Sequence, residues 1–199
     1  MKFEYWYTTV GLIGRSRTGK TYATLQLLAK AHKRASVLVP YPKQVQIYAT
    51  YSDDIRVASD SEYNSQTVDN FIMNRTKKRI WCLAFDDLDY FVHNAKESRA
   101  LETLPIASKG HWEHGNIWQS RRAMNLPPSL IQNSDYLIFT FGLDVHDYAI
   151  LDKIGLDLDL YATVPEPVYD SKDPKRILSC KYLVLNTATN DQHIVGGFQ

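Results

Sequence analysis

The sequence predicts an α/β protein in three αβα layers, a mostly parallel sheet covered by helices on both faces. Three observations carry this. Apolar, β-branched and aromatic runs that read as buried strands alternate with stretches of helical period. The run IWCLAF, residues 80–85, is apolar throughout, which requires cover on both faces, as in a parallel sheet. The strands also end in chemically loaded residues, as the carboxyl edge of such a sheet does.

Taken in order, YWYTTVGLI over 5–13 reads as a buried strand entering a turn at Gly14. A helix follows over 20–33, with Tyr22, Ala23, Leu25, Leu27, Leu28 and Ala31 giving one broad apolar face. SVLV, 36–39, is a short strand stopped by Pro40 and Pro42. The segment 43–65 lacks a clear period, and a short strand over Val45 to Tyr48 is expected there. Residues 66–76 form a helix with Val68, Phe71, Ile72 and Met73 inward, and the strand at 80–85 ends at Asp86-Asp87. Further on come a helix over 96–110, a strand at 116–119 and a loop holding Pro127 and Pro128. A buried strand at 135–141 precedes a helix over 144–154 that Gly155 ends. The tail ILSCKYLVLNTA, 177–188, reads as a β-hairpin.

At 199 residues the chain suits one domain, 1–199, with a core over 5–155 and a β extension over 156–199. Hydrophobic residues make up 44% and charged residues 23%, the balance of a soluble globular protein. With 23 basic and 22 acidic residues the net charge is +1, so any polyanion contact has to come from local clusters. Cys82 and Cys180 suggest no disulfide framework, and Cys82 sits in an apolar run as a core residue. The opening MKFEYWYTTV carries Glu4 and lacks a long apolar stretch. No run approaches a membrane span. A soluble intracellular protein is expected.

The stretch GRSRTGKT, 14–21, follows a strand and opens a helix, the context in which a phosphate-binding loop forms. Gly14 and Gly19 allow backbone angles closed to other residues, so the amides of 15–21 can converge on a β-phosphate at a helix N-terminus. Lys20 would reach the β- and γ-oxygens, and the Thr21 hydroxyl would ligate Mg²⁺. Gly14, Arg15, Ser16, Arg17, Thr18, Gly19, Lys20 and Thr21 are therefore the candidate cradle for ATP. Arg15 and Arg17 exceed what a backbone cradle needs; they either pair with a neighbouring subunit's acids or lie in solvent.

AFDDLDYF puts Asp86 directly after a buried strand, where a carboxylate holds the cation, and Asp87 beside it, where a carboxylate orients and deprotonates water. The bland alternative is a solvated acidic turn. Asp89, three residues on, is a second candidate, or else leans away or caps the next segment. SVLV and a helix intervene between the phosphate loop and this acidic strand, an insertion typical of ATPases with an adjacent acidic base. Gln119 ends the next strand, placed to touch a γ-phosphate and a lytic water, or to be a loop amide. Arg121 and Arg122 follow, planar charges suited to phosphate oxygens or to surface ion pairs.

GRSRTGKT, AFDDLDYF and IWQSRRAMNLPPSLIQNSDYLIFTFGLDVHDYAILDKIG together resemble the FtsK–HerA superfamily of P-loop ATPases. The compact viral members of that superfamily package genomes in membrane-containing icosahedral viruses. The resemblance spans about residues 5–155 and implies a RecA-like P-loop NTPase fold. It implies ATP on Gly14 to Thr21, Mg²⁺ on Thr21 and Asp86, a base at Asp87, sensing by Gln119, and an arginine in trans at Arg121 or Arg122. It further implies a homomeric ring, usually hexameric, moving double-stranded DNA in the host cytoplasm or with the virion, beside capsid-vertex or inner-membrane proteins. Asp87 departs from the family's usual glutamate, which puts the hydrolysis rate in question.

Candidate DNA contacts are Arg75-Lys77-Lys78-Arg79, Lys109 with His111 and His114, and Lys172-Lys175-Arg176, each equally a solvated face. His111 and His114 lack the further ligands of a metal site. FDDLDYF also resembles AAA+ initiators and helicase loaders, which need a helical C-terminal lid. A small-molecule kinase, with Arg121 and Arg122 on a lid, and a nucleotide binder without turnover are the remaining alternatives.

Overall fold

A computed structural model of the chain describes residues 8–29, 34–75, 82–93, 101, 115–173 and 176–196. Ten strands and six α-helices follow in the order β1 (Thr9–Ile13), α1 (Lys20–Ala29), β2 (Ala35–Val39), α2 (Val45–Tyr48), β3 (Asp54–Val57), α3 (Ser65–Arg75), β4 (Cys82–Phe85), β5 (Gly115–Ser120), α4 (Pro128–Gln132), β6 (Tyr136–Phe139), α5 (Tyr148–Lys153), α6 (Leu158–Ala162), β7 (Val168–Tyr169), β8 (Ile177–Ser179), β9 (Lys181–Asn186) and β10 (Gln192–Gly196) among the described residues.

Eight strands form one sheet in the order β10-β9-β6-β1-β5-β4-β2-β3. The six from β6 to β3 run parallel, while β9 and β10 add to the β6 edge antiparallel. Alternation within each strand feeds two separate cores. Val10 and Leu12 of β1, Cys82 and Ala84 of β4, and Tyr182 and Val184 of β9 pack with Ala23, Leu27 and Leu28 of α1. Ile13, Leu83, Phe85, Leu183 and Leu185 point the other way, onto Val68, Phe71 and Ile72 of α3 and onto Leu130, Leu151 and Tyr161 of the later helices. This is the three-layer α/β architecture that the apolar runs require.

The strand inserted beside the phosphate-loop strand is β5, which separates β1 from β4; β2 lies outside β4. The strand expected over 45–48 is instead helical. Pro42 sets the φ of a 3-10 turn over Pro42–Gln44, and the Tyr41 N–H donates to Gln44 Oε1 at 3.0 Å, which starts α2. Pro128 likewise opens a short helix where a loop was expected. The tail hairpin is displaced from 177–188. β8 pairs with β7, and the hairpin joins β9 to β10 through a turn over 187–191, held by Asn186 Oδ1 accepting from the Ala188 N–H. The helix expected over 96–110 lies outside the described residues except for Leu101, which is helical and buried.

Candidate nucleotide site

The carboxyl ends of β1, β4 and β5 bring together the phosphate loop, the acidic pair and Gln119. The loop is tied down on both sides. Gly14 lies against Thr140 at the end of β6, where a side chain would overlap the threonine hydroxyl. Thr18 and Thr140 share a hydrogen bond between their hydroxyls at 2.5 Å. Gly19 has φ +99° and leaves room for Tyr182, whose phenol donates to the Gly19 carbonyl at 3.2 Å. Tyr169 of β7 donates to the Arg17 carbonyl at 2.6 Å. Thr140, Tyr169 and Tyr182 were invisible as loop supports in the sequence, because β6 and the tail reach the loop only through sheet pairing.

Lys20 is 5% exposed, and its Nζ donates to the carbonyls of Gly14 and Arg15 at 2.6 and 2.8 Å. Burial pulls its pKa down, while the carboxylates of Asp87, Asp89 and Asp86 act in the opposite direction. A cavity of about 160 Å³ opens beside it, lined by Ser16, Arg17, Gly19, Thr21, Tyr22, Asp87 and Ile177 among others. Tyr22, 49% exposed, and Ile177 of β8 give this cavity apolar surface next to the loop. Arg15, Ser16 and Arg17 are exposed, and Arg17 holds a left-handed φ of 65°. The Arg15 side chain lies along Gly142.

Asp86 is 1% exposed, and burial, with the neighbouring Asp87 charge, raises its pKa to about 7. Gln44 donates from Nε2 to Asp86 Oδ2 at 2.5 Å, whereas the buried Oδ1 has no hydrogen-bond partner. A buried carboxylate with one oxygen unpartnered among the described residues suits a hard cation, and the half-buried Thr21 lies in the first turn of α1 after the phosphate loop. Asp87 sits in a left-handed conformation, φ 46° and ψ 65°, and borders the cavity. Its pKa is also raised by burial, against the pull of Lys20 and Arg121.

Gln119 is 1% exposed and donates from Nε2 to the Tyr48 hydroxyl at 2.8 Å; its Oε1 has no hydrogen-bond partner among the described residues. Arg121 stacks its guanidinium 4.9 Å from the Tyr90 ring centroid, with Nε 3.7 Å from Asp89 Oδ2, and its charge reaches Asp87 and Lys20. Arg122 turns away and pairs with Asp144 at 2.8 Å. Asp89 does not line the cavity and caps no helix. It accepts from the Ser120 hydroxyl at 2.9 Å and from the Arg121 backbone N–H, and so fixes the end of β5.

Of the basic clusters, Arg75 pairs with Asp54 at 3.1 Å and lies over Phe71, at the edge of the sheet opposite the nucleotide loop. Arg176 lies 3.7 Å from Asp170, and Lys172 is exposed. Lys77, Lys78, Arg79, Lys109, His111, His114 and Lys175 lie outside the described residues.

A glycine loop between β1 and α1, with an acidic pair ending a strand two places away, defines the fold as that of a P-loop NTPase. Among solved structures, it is similar to the genome packaging NTPase B204 of Sulfolobus turreted icosahedral virus 2 in complex with AMPPCP, at 14% identity and TM-score 0.71, covering 96% of this chain and 98% of that one. The DNA-packaging ATPase B204 of Sulfolobus turreted icosahedral virus is 18% identical, with TM-score 0.70 over the same shares. EssC of Geobacillus thermodenitrificans, ATPases 2 and 3, is 12% identical with TM-score 0.53, covering 96% of this chain and 39% of that one. At these identities the neighbours show a shared P-loop ATPase fold, as the resemblance implies. No family model matches the sequence, and no curated protein matches it.

Proposed function

We propose that this chain, as one domain, is a magnesium-dependent ATPase that moves double-stranded DNA, of the kind that packages a viral genome. The observation that carries this is the gathering of Lys20, Asp86, Asp87 and Gln119 at the carboxyl ends of β1, β4 and β5, each buried or half-buried.

In this reading Lys20 exchanges the Gly14 and Arg15 carbonyls for the triphosphate. Thr21 and the vacant Oδ1 of Asp86 hold magnesium, which neutralises phosphate charge when bound. Asp87, with its raised pKa, takes the proton of the attacking water, and Gln119 Oε1 accepts a hydrogen bond from that water. Tyr22 and Ile177 are the apolar surfaces available to the base. Arg121, whose charge acts on Asp87 and Lys20, serves its own subunit, and Arg122, turned away onto Asp144, is the one left to cross a subunit boundary. The tail over 176–196 forms strands, unlike the helical lid an AAA+ initiator needs. A homomeric ring, hexameric by the family's habit, follows, acting in the host cytoplasm or with the virion beside capsid-vertex or membrane proteins.

Phosphate release from Mg·ATP, with and without duplex DNA, tests this. Hydrolysis that duplex DNA raises, and that Lys20→Ala abolishes, is expected. Turnover indifferent to DNA would remove the motor while leaving an ATPase, and no phosphate release would remove both.

A further inference from the structure

The segment after β2, which the sequence reading took for a strand, returns two side chains to the carboxyl edge of β4 and β5. Gln44 donates to Asp86 Oδ2. Tyr48 is fully buried, with its hydroxyl between Gln119 and Asp86. Gln119 Nε2 donates to that hydroxyl at 2.8 Å, and burial with the nearby Asp86 charge raises the Tyr48 pKa, so the phenol keeps its proton.

A phenol has one proton and accepts through its lone pairs. Tyr48 accepts from Gln119, so the amide presents its NH₂ side to Tyr48. Gln119 Oε1 then lies on the opposite side, without a hydrogen-bond partner among the described residues. Without such a neighbour the two amide orientations fill the same shape, and one of them would offer the attacking water a donor in place of an acceptor. Burying a phenolic hydroxyl where phenylalanine would fill the same space costs free energy unless it is hydrogen-bonded, and here the bond runs to a residue of the site.

We propose that Tyr48 is a positioning residue for hydrolysis: its buried hydroxyl holds the NH₂ side of the Gln119 amide and so leaves Oε1 on the opposite side. The inference rests on the ATPase reading above. Tyr48 touches neither nucleotide nor water; it acts through Gln119.

The test is steady-state Mg·ATP hydrolysis by the full chain carrying Tyr48→Phe, Gln119→Leu or both, with thermal unfolding as a check on the fold. Tyr48→Phe is expected to lower kcat about tenfold or more, as for loss of general positioning in a proton-transfer step, with KM kept within about twofold. The double variant is expected to lose no more than Gln119→Leu alone. An unimpaired kcat in Tyr48→Phe, losses that multiply in the double variant, or a rise in KM at unchanged kcat would each overturn the proposal. If Tyr48→Phe does not fold, Gln119→Glu asks the same question, because an ionised carboxylate cannot donate to the phenol. Loss of kcat at constant KM then supports the proposal and retained kcat overturns it. A wild-type chain that releases no phosphate defeats the ATPase reading itself, whereas a hydrolysing wild type with an unimpaired Tyr48→Phe defeats only this inference.

Discussion

Asp86 and Lys20 are charges that the fold removes from water before any ligand arrives. Lys20 is compensated by two loop carbonyls, but Asp86 keeps one oxygen without a partner. Its pKa, raised to about 7 by burial and by Asp87, means that the folded chain holds a proton which the unfolded chain releases near pH 4. Asp86 therefore contributes stability that is full below about pH 4 and is lost as pH rises to about 7. Thermal unfolding of the nucleotide-free and magnesium-free protein should show a midpoint that falls from about pH 4 to about pH 7 and levels off above it. Asp86→Asn, neutral throughout, should flatten that fall; an unchanged slope would contradict the assignment. The sequence showed Asp86 and Asp87 plainly, because two acids after an apolar run have few structural explanations. It did not show what Asp89 does, since that depends on β5 lying alongside β4.

Asp89 leads to the scale of elements. β5 carries Gln119, and its final residues are fixed by this one carboxylate, which accepts from the Ser120 hydroxyl and the Arg121 N–H. Asp89→Ala leaves the Arg121 N–H without its acceptor, a cost of about 1–3 kcal/mol. It also frees the Arg121 guanidinium from its neighbour. A lowered unfolding midpoint together with a lowered kcat is expected; full activity would show that β5 is positioned by pairing alone. Elements with a clear apolar rhythm were legible, β1, α1, α3, β4 and β6 among them, because their own residues carry the signal. α2 was not, since Val45, Ile47 and Tyr48 suit a strand as well as a helix until Pro42 and the Gln44 bond set the turn. The tail hairpin was legible but its bounds were not: it joins β9 to β10, and its turn chemistry lies at Asn186 to Asp191.

For the molecule as a whole, the sheet order places β5 between β1 and β4, and β9 and β10 extend the sheet beyond β6. Neither fact can be read along the chain, because strand neighbours are chosen by tertiary packing. That order puts the lysine, the carboxylates and the glutamine along one edge, while the tail supports the loop through Tyr182 and Tyr169. The central claim is that these groups surround a single magnesium triphosphate. A crystal structure with Mg·AMPPCP tests it most directly. Lys20 Nζ should leave the Gly14 and Arg15 carbonyls for phosphate oxygens, with the Asp86 carboxyl beside the cation or its bound water. A nucleotide bound elsewhere, with Lys20 still on those carbonyls and Asp86 remote from the cation, would contradict the account.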